Sequence, residues 1–168
     1  IKPVDTPAVI IQPESMSDQS PATVQETPFK DAQLAKARRE SQDVLSQLLE
    51  KQTYLEKRNI QQWDEAAFQA ALKKAAEGDR LYRQRQFNES QVAYRDALEQ
   101  LSALEARIPQ EISNTLTKGD EAFANGNADM AKALYQRVLA IDPANTQAES
   151  GIARTATLNE VLTLVSQA

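Results

Sequence analysis

The chain has 168 residues, carries a net charge of −5, and contains neither cysteine nor histidine. Disulfides, zinc–thiolate sites and catalytic triads built on Cys or His are therefore excluded within it. The acidic balance argues against nucleic-acid binding, and no apolar run approaches the roughly eighteen residues of a membrane-spanning helix.

Residues 1–27 are set apart by Pro3, Pro7, Pro13 and Pro21, with Ser, Thr, Gln and Asp between them. Such a segment cannot bury enough surface to offset the entropy of ordering, so a disordered linker is expected. The run Ala8–Ile11 either adds as a strand to a partner's sheet edge or is a chance cluster within the linker. Ile1 is not Met, and Ala168 falls inside an amphipathic pattern, so further sequence is expected beyond both ends.

From residue 28 on, the chain reads as all-α. Ala, Leu, Gln, Glu, Lys and Arg are abundant, and glycine occurs four times in the whole chain. Thr27-Pro28 opens a first helix with a capping hydroxyl and proline at its first position. Leu34, Ala37, Val44, Leu48 and Leu55 form its apolar stripe to about Arg58, interrupted by Ser41 and Lys51. Asn59 suits a left-handed stop, and a polar residue between Gln61 and Asp64 can cap the second helix. That helix runs to about Gln84, with Ala67, Ala70, Ala71, Ala75 and Gly78 permitting close approach of a neighbour. Asn88 with Gln91 resembles a capping box, and Phe87 a staple, for a third helix ending near Ile108-Pro109. A fourth helix is expected from Pro109 to Ala124, a turn at Asn125-Gly126-Asn127, and a fifth from Ala128 to Ile141. Asp142-Pro143 ends it, and a sixth begins near Asn145.

Two of the resulting hairpins stand in register. Gly78, Ser90, Tyr94 and Ala97 recur as Gly119, Ala131, Tyr135 and Val138, each 41 residues on. A mid-helix glycine costs about 1 kcal/mol relative to alanine, so the pair points to two close helix crossings. Residues 112–145 carry Gly119, Gly126, Ala131, Tyr135, Asp142-Pro143 and Asn145 in a spacing that resembles the tetratricopeptide-repeat (TPR) family. The hairpin at about 71–108 keeps Gly78, Tyr94 and Ala97. It has Arg85 where the turn glycine would fall, and it lacks the terminal Asp-Pro. The family's bulky first-helix aromatic is also absent, with Lys74 and Thr115 in its place.

The resemblance implies antiparallel hairpins stacked as a short TPR-like right-handed superhelix, with a long N-terminal helix ahead of it. The expected parts are the helix at 28–61, a divergent repeat at 62–108, a repeat at 109–145 and a C-terminal helix at 146–168. It also implies a partner-binding inner face lined by Asp79, Tyr82 and Arg83 from one hairpin and by Leu116, Asp120 and Phe123 from the next. The alternative is that Tyr82 and Phe123 are packed core residues. TPR domains that bind chaperone C-terminal carboxylates use Lys and Asn at set first-helix positions. Here Ala75, Asp79, Leu116 and Asp120 stand there, and the acids would repel a carboxylate.

Arg80, Arg83 and Arg85, with Lys73 and Lys74, form the densest basic stretch, either a solvated face or a surface for an acidic partner or membrane. Asp64/Glu65 and Asp120/Glu121 lack any phosphate-binding loop or metal-ligand pattern beside them and read as surface charges. No cofactor and no catalysis are expected. Two functional readings remain: a protein–protein interaction module that binds a peptide or domain in its groove, or a spacer positioning another domain. The layout is that of the periplasmic part of a single-pass bacterial membrane protein, with a cytoplasmic location as the alternative.

Overall fold

The computed structural model describes residues 27–167, apart from the Leu162 side chain. The expectations for residues 1–26, including the Ala8–Ile11 run, lie outside the described residues. The described chain is all-helical, with five helices: α1 (Pro28–Glu56), α2 (Ile60–Arg83), α3 (Phe87–Ala124), α4 (Ala128–Ile141) and α5 (Thr146–Ser166). None is long and apolar enough to cross a membrane.

Local sequence sets most of the ends. Thr27 Oγ1 accepts from the Lys30 amide and Pro28 follows at the first helical position. Asn59 takes the left-handed conformation (φ 52°, ψ 42°) between α1 and α2. The first turn of α2 is offset by a kink at Asp64, whose Oδ1 caps the Ala67 amide at 3.2 Å. Asn127 and Asn145 cap α4 and α5 through the amides of Met130 and Ala148. The expected box at Asn88 does not form. The third helix begins two residues earlier, with Gln86 at its cap position, because Phe87 is drawn into the interior against Tyr82.

The largest departure from expectation is α3. The break predicted at Ile108-Pro109 is absent, and one 38-residue helix replaces two. Proline in a helix interior costs about 3 kcal/mol. Its neighbours offset that cost: Ile108 is buried in the core shared with α1 and α2, and Ile112, one turn on, packs against both core clusters of the molecule. Pro109 itself faces solvent.

Helix α3 is the member that the others pack upon. Its first half lies between α1 and α2, which touch each other little. Ser41 meets Ser90 and Lys51 pairs with Glu105, so α1 runs parallel to α3, whereas Asp64 pairs with Arg107 and α2 runs antiparallel. The polar residues that interrupt the α1 stripe are thus the ones that fix its register. Ser90 Oγ donates to the Gly78 carbonyl at 3.0 Å, which leaves Ser41 Oγ to donate to Ser90 at 3.1 Å. Leu48, Leu55, Ile60, Phe68, Leu101 and Leu104 complete this core. The second half of α3 pairs with α4, and α5 covers α4 in turn. Asn59 Nδ2 donates to the Ala140 carbonyl at 2.7 Å, tying the α1–α2 joint to the end of α4.

The 41-residue register survives in three dimensions. A β-carbon on Gly78 would lie 2.5 Å from the Tyr94 ring, and one on Gly119 would lie 2.8 Å from the Tyr135 ring. The turns match as well. Arg85 and Gln86 amides bond to the Tyr82 and Leu81 carbonyls, as Gly126 and Asn127 amides bond to those of Phe123 and Ala122. Both turns are left-handed C-caps, with φ 60° at Arg85 and 75° at Gly126. Arginine holds the conformation at a cost of about 1–2 kcal/mol that glycine avoids.

Replacing a helical glycine with alanine ordinarily stabilises, by roughly 0.5–1 kcal/mol. Here the sign should reverse. Tyr94 and Tyr135 are almost wholly buried and have nowhere to retreat. Gly78→Ala and Gly119→Ala should each destabilise by about 1–3 kcal/mol in urea unfolding, and a stabilising result for either would show that the rings can shift.

Candidate functional site

The residues expected to line a groove are each accounted for. Asp79, exposed on α2, accepts the Tyr94 hydroxyl at 2.7 Å. Asp120 on α3 accepts the Tyr135 hydroxyl at 2.6 Å, Arg154 Nη2 at 3.2 Å and Gln147 Nε2 at 3.4 Å, the last two reaching across from α5. Phe123 is half-buried beneath the Arg154 guanidinium, 5.2 Å from its ring centre. Leu116 departs from expectation: it is 8% exposed and belongs to the core between α3, α4 and α5, one turn before Gly119 on the same inward face. Tyr82 is half-buried, its ring edge-on to Phe87 at 5.0 Å, and Arg83 is exposed. Asp79, Tyr82 and Arg83 gather at the end of α2. Leu116, Asp120 and Phe123 lie on the last turns of α3, with α5 reaching over Asp120 and Phe123.

The two aspartates therefore have a structural partner each. The crossings at Gly78 and Gly119 are each built as a glycine, the next residue aspartate, and a tyrosine whose ring covers the glycine while its hydroxyl reaches the carboxylate. Burial of each phenol, followed by its bond to an aspartate, pushes both Tyr94 and Tyr135 up to about 12. On the second tyrosine the Arg154 charge opposes that rise. Tyr135 is covered from the other side too, since a β-carbon on Gly151 of α5 would lie 2.6 Å from its ring.

A more open surface lies at the other side of Tyr82. The first half of α1 and the α2–α3 turn enclose a groove of about 460 Å³ lined by Asp31, Leu34, Ala35, Arg38, Arg39, Gln42, Arg85 and Phe87. Arg38 Nε donates to the Tyr82 hydroxyl at 3.1 Å, which fixes the guanidinium plane and leaves its terminal nitrogens free. Among the described residues Arg38, Arg39 and Arg85 enter no ion pair. The sequence singled out Arg85 within the basic stretch but gave no sign of Arg38 and Arg39. Their contribution depends on α1 packing alongside α3, which brings a helix some fifty residues earlier in the chain beside the turn. Leu34, read as the first stripe residue of α1, was the available signal: its half-buried position faces this groove and not the main core.

Elsewhere, no cluster of His, Cys, Asp and Glu suited to a metal ion occurs among the described residues. The end of α5 exposes Val161, Leu164 and Val165.

The tyrosines give the fold a titration of known sign. Each phenol has its ordinary value of 10.0 when unfolded and about 12 when folded, so the native state holds the proton more tightly. Their contribution is full below pH 10 and is lost as pH rises through about 12. The unfolding midpoint should fall across that window, and the fall should shrink in a Tyr94→Phe/Tyr135→Phe variant. An unchanged fall would assign it to other groups. No family model, curated protein or solved structure matches the chain.

Proposed function

We propose that this protein is a non-catalytic interaction module, a short array of TPR-like hairpins that holds a segment of a protein partner on its surface. The observation that carries the reading is the groove between α1 and the α2–α3 turn. It pairs apolar residues (Leu34, Ala35 and Phe87) with three arginines that form no ion pair within the described chain. Burial of an apolar anchor beside directional polar groups is how such surfaces bind with specificity. The helix faces expected to serve from the family resemblance are less suited. Asp79 and Asp120 are engaged by tyrosines, and Leu116 is buried.

A spacer is the second reading, and α3 favours it. Thirty-eight continuous helical residues span roughly 57 Å, a rigid strut running through both halves of the molecule. The two readings separate in a site-specific photocrosslinking experiment in cells of the source organism. A photoreactive residue at Gln42, in the lining of the groove, should yield a discrete adduct that the same residue at exposed Gln136 on α4 does not. Absence of any adduct specific to Gln42 would leave the spacer as the better account.

A further inference from the structure

We propose that the groove selects an acidic peptide segment: carboxylates held by Arg38, Arg39 and Arg85, flanking an apolar side chain seated on Leu34, Ala35 and Phe87. This rests on the groove being the contact surface, and it names the chemistry of what enters.

Three observations converge on it. The first is charge. Three arginines line the groove against one aspartate, Asp31, and the adjoining recess adds Lys30 and Glu89. In a chain whose net charge is −5 this is a local inversion, and it attracts a partner of the opposite sign. The second is pre-organisation. Tyr82 is braced against Phe87 and accepts from Arg38 Nε, so the arginine presents its terminal amino groups without first surrendering the freedom of a mobile side chain. A guanidinium offered in this way suits a carboxylate.

The third is Arg85. The equivalent residue of the second hairpin is Gly126, in the same left-handed conformation and the same hydrogen-bonded turn. A side chain is disfavoured there, yet the first hairpin carries an arginine, and it lines the groove. Strain held at one of two otherwise matching turns points to a role for this side chain beyond the turn itself. A protein segment is favoured over a membrane surface by shape. Phe87 is only 7% exposed, so a flat lipid surface meets the arginines, Leu34 and Ala35 without reaching its ring.

The test is a selection of random short peptides displayed against the full chain, repeated on Arg38→Gln/Arg39→Gln and on Arg85→Gly. Enriched peptides should carry carboxylates on both sides of an apolar residue. Their affinity should weaken with added salt and drop by about tenfold on the double variant. Arg85→Gly should unfold at a higher denaturant midpoint, because the turn strain is relieved, while losing peptide affinity. Arg83→Gln, outside the groove lining, should bind as the parent does. Enrichment of neutral peptides whose affinity Arg38→Gln/Arg39→Gln leaves unchanged would overturn the acidic class while leaving an interaction module in place. No enrichment, with capture of the chain by anionic phospholipid vesicles that depends on Arg38 and Arg39, would overturn it in favour of a lipid surface. Enriched peptides whose affinity Arg85→Gly leaves unchanged would remove Arg85 from the site and, with it, the reading of its strain.

Discussion

A tyrosine ring laid on a glycine packs one helix directly against the bare backbone of another, where even a methyl group would collide. In this chain that contact occurs at Gly78 with Tyr94 and at Gly119 with Tyr135, and in each case the aspartate after the glycine receives the phenol hydroxyl. The ring fills the space that the absent side chain leaves, and the hydrogen bond fixes which way the ring points. Both functions are needed, because a phenol buried without an acceptor would carry the cost of an unpaired polar group. The distance between α2 and α3, and between α3 and α4, follows from these two contacts. So does the position of α5, since Gly151 closes on the outer face of Tyr135.

Around that frame the polar residues do as much to specify the arrangement as the apolar ones. Ser41 and Ser90 place α1 at the Gly78 crossing, Lys51 and Glu105 keep it in register, and Asn59 fastens the α1–α2 joint to the last turn of α4. A surface ion pair by itself contributes little to stability, often well under 1 kcal/mol. Its value here lies in excluding a one-turn slip of a long helix whose stripe of leucines would tolerate several registers. The same packing of α1 is what carries Arg38 and Arg39 to the α2–α3 turn.

The all-α class, the cap at Thr27, the left-handed stop at Asn59, the turn at Asn125-Gly126-Asn127 and the close crossings at Gly78 and Gly119 were legible because each depends on residues close in sequence or at a fixed spacing; that the tyrosine rings lie on those glycines was not. Nor was the continuity of α3. Proline is a strong local signal for a break, and only the burial of Ile108 and Ile112 on either side of it, against helices distant in the chain, outweighs that signal. The capping box at Asn88 failed for a related reason: the pull of Phe87 toward Tyr82 is a tertiary force that a three-residue motif does not register. Of the expected groove, the aspartates were found at the right helices but with their carboxylates already engaged. The arginine-lined groove needed a pairing between α1 and α3 that no periodicity encodes.

The shared helix changes how the molecule comes apart. In arrays whose units are separated by loops, each hairpin meets only its neighbours and can open by itself, and stability is close to a sum along the array. Here the second helix of one hairpin is, without interruption, the first helix of the next, and its central turn around Ile112 packs into both cores. No loop divides α3 between the two cores, so melting of one half strips packing from the helix that the other half shares. The coupling that repeat proteins build from interfaces has here a second route, backbone continuity, at the cost of one proline held in a helix.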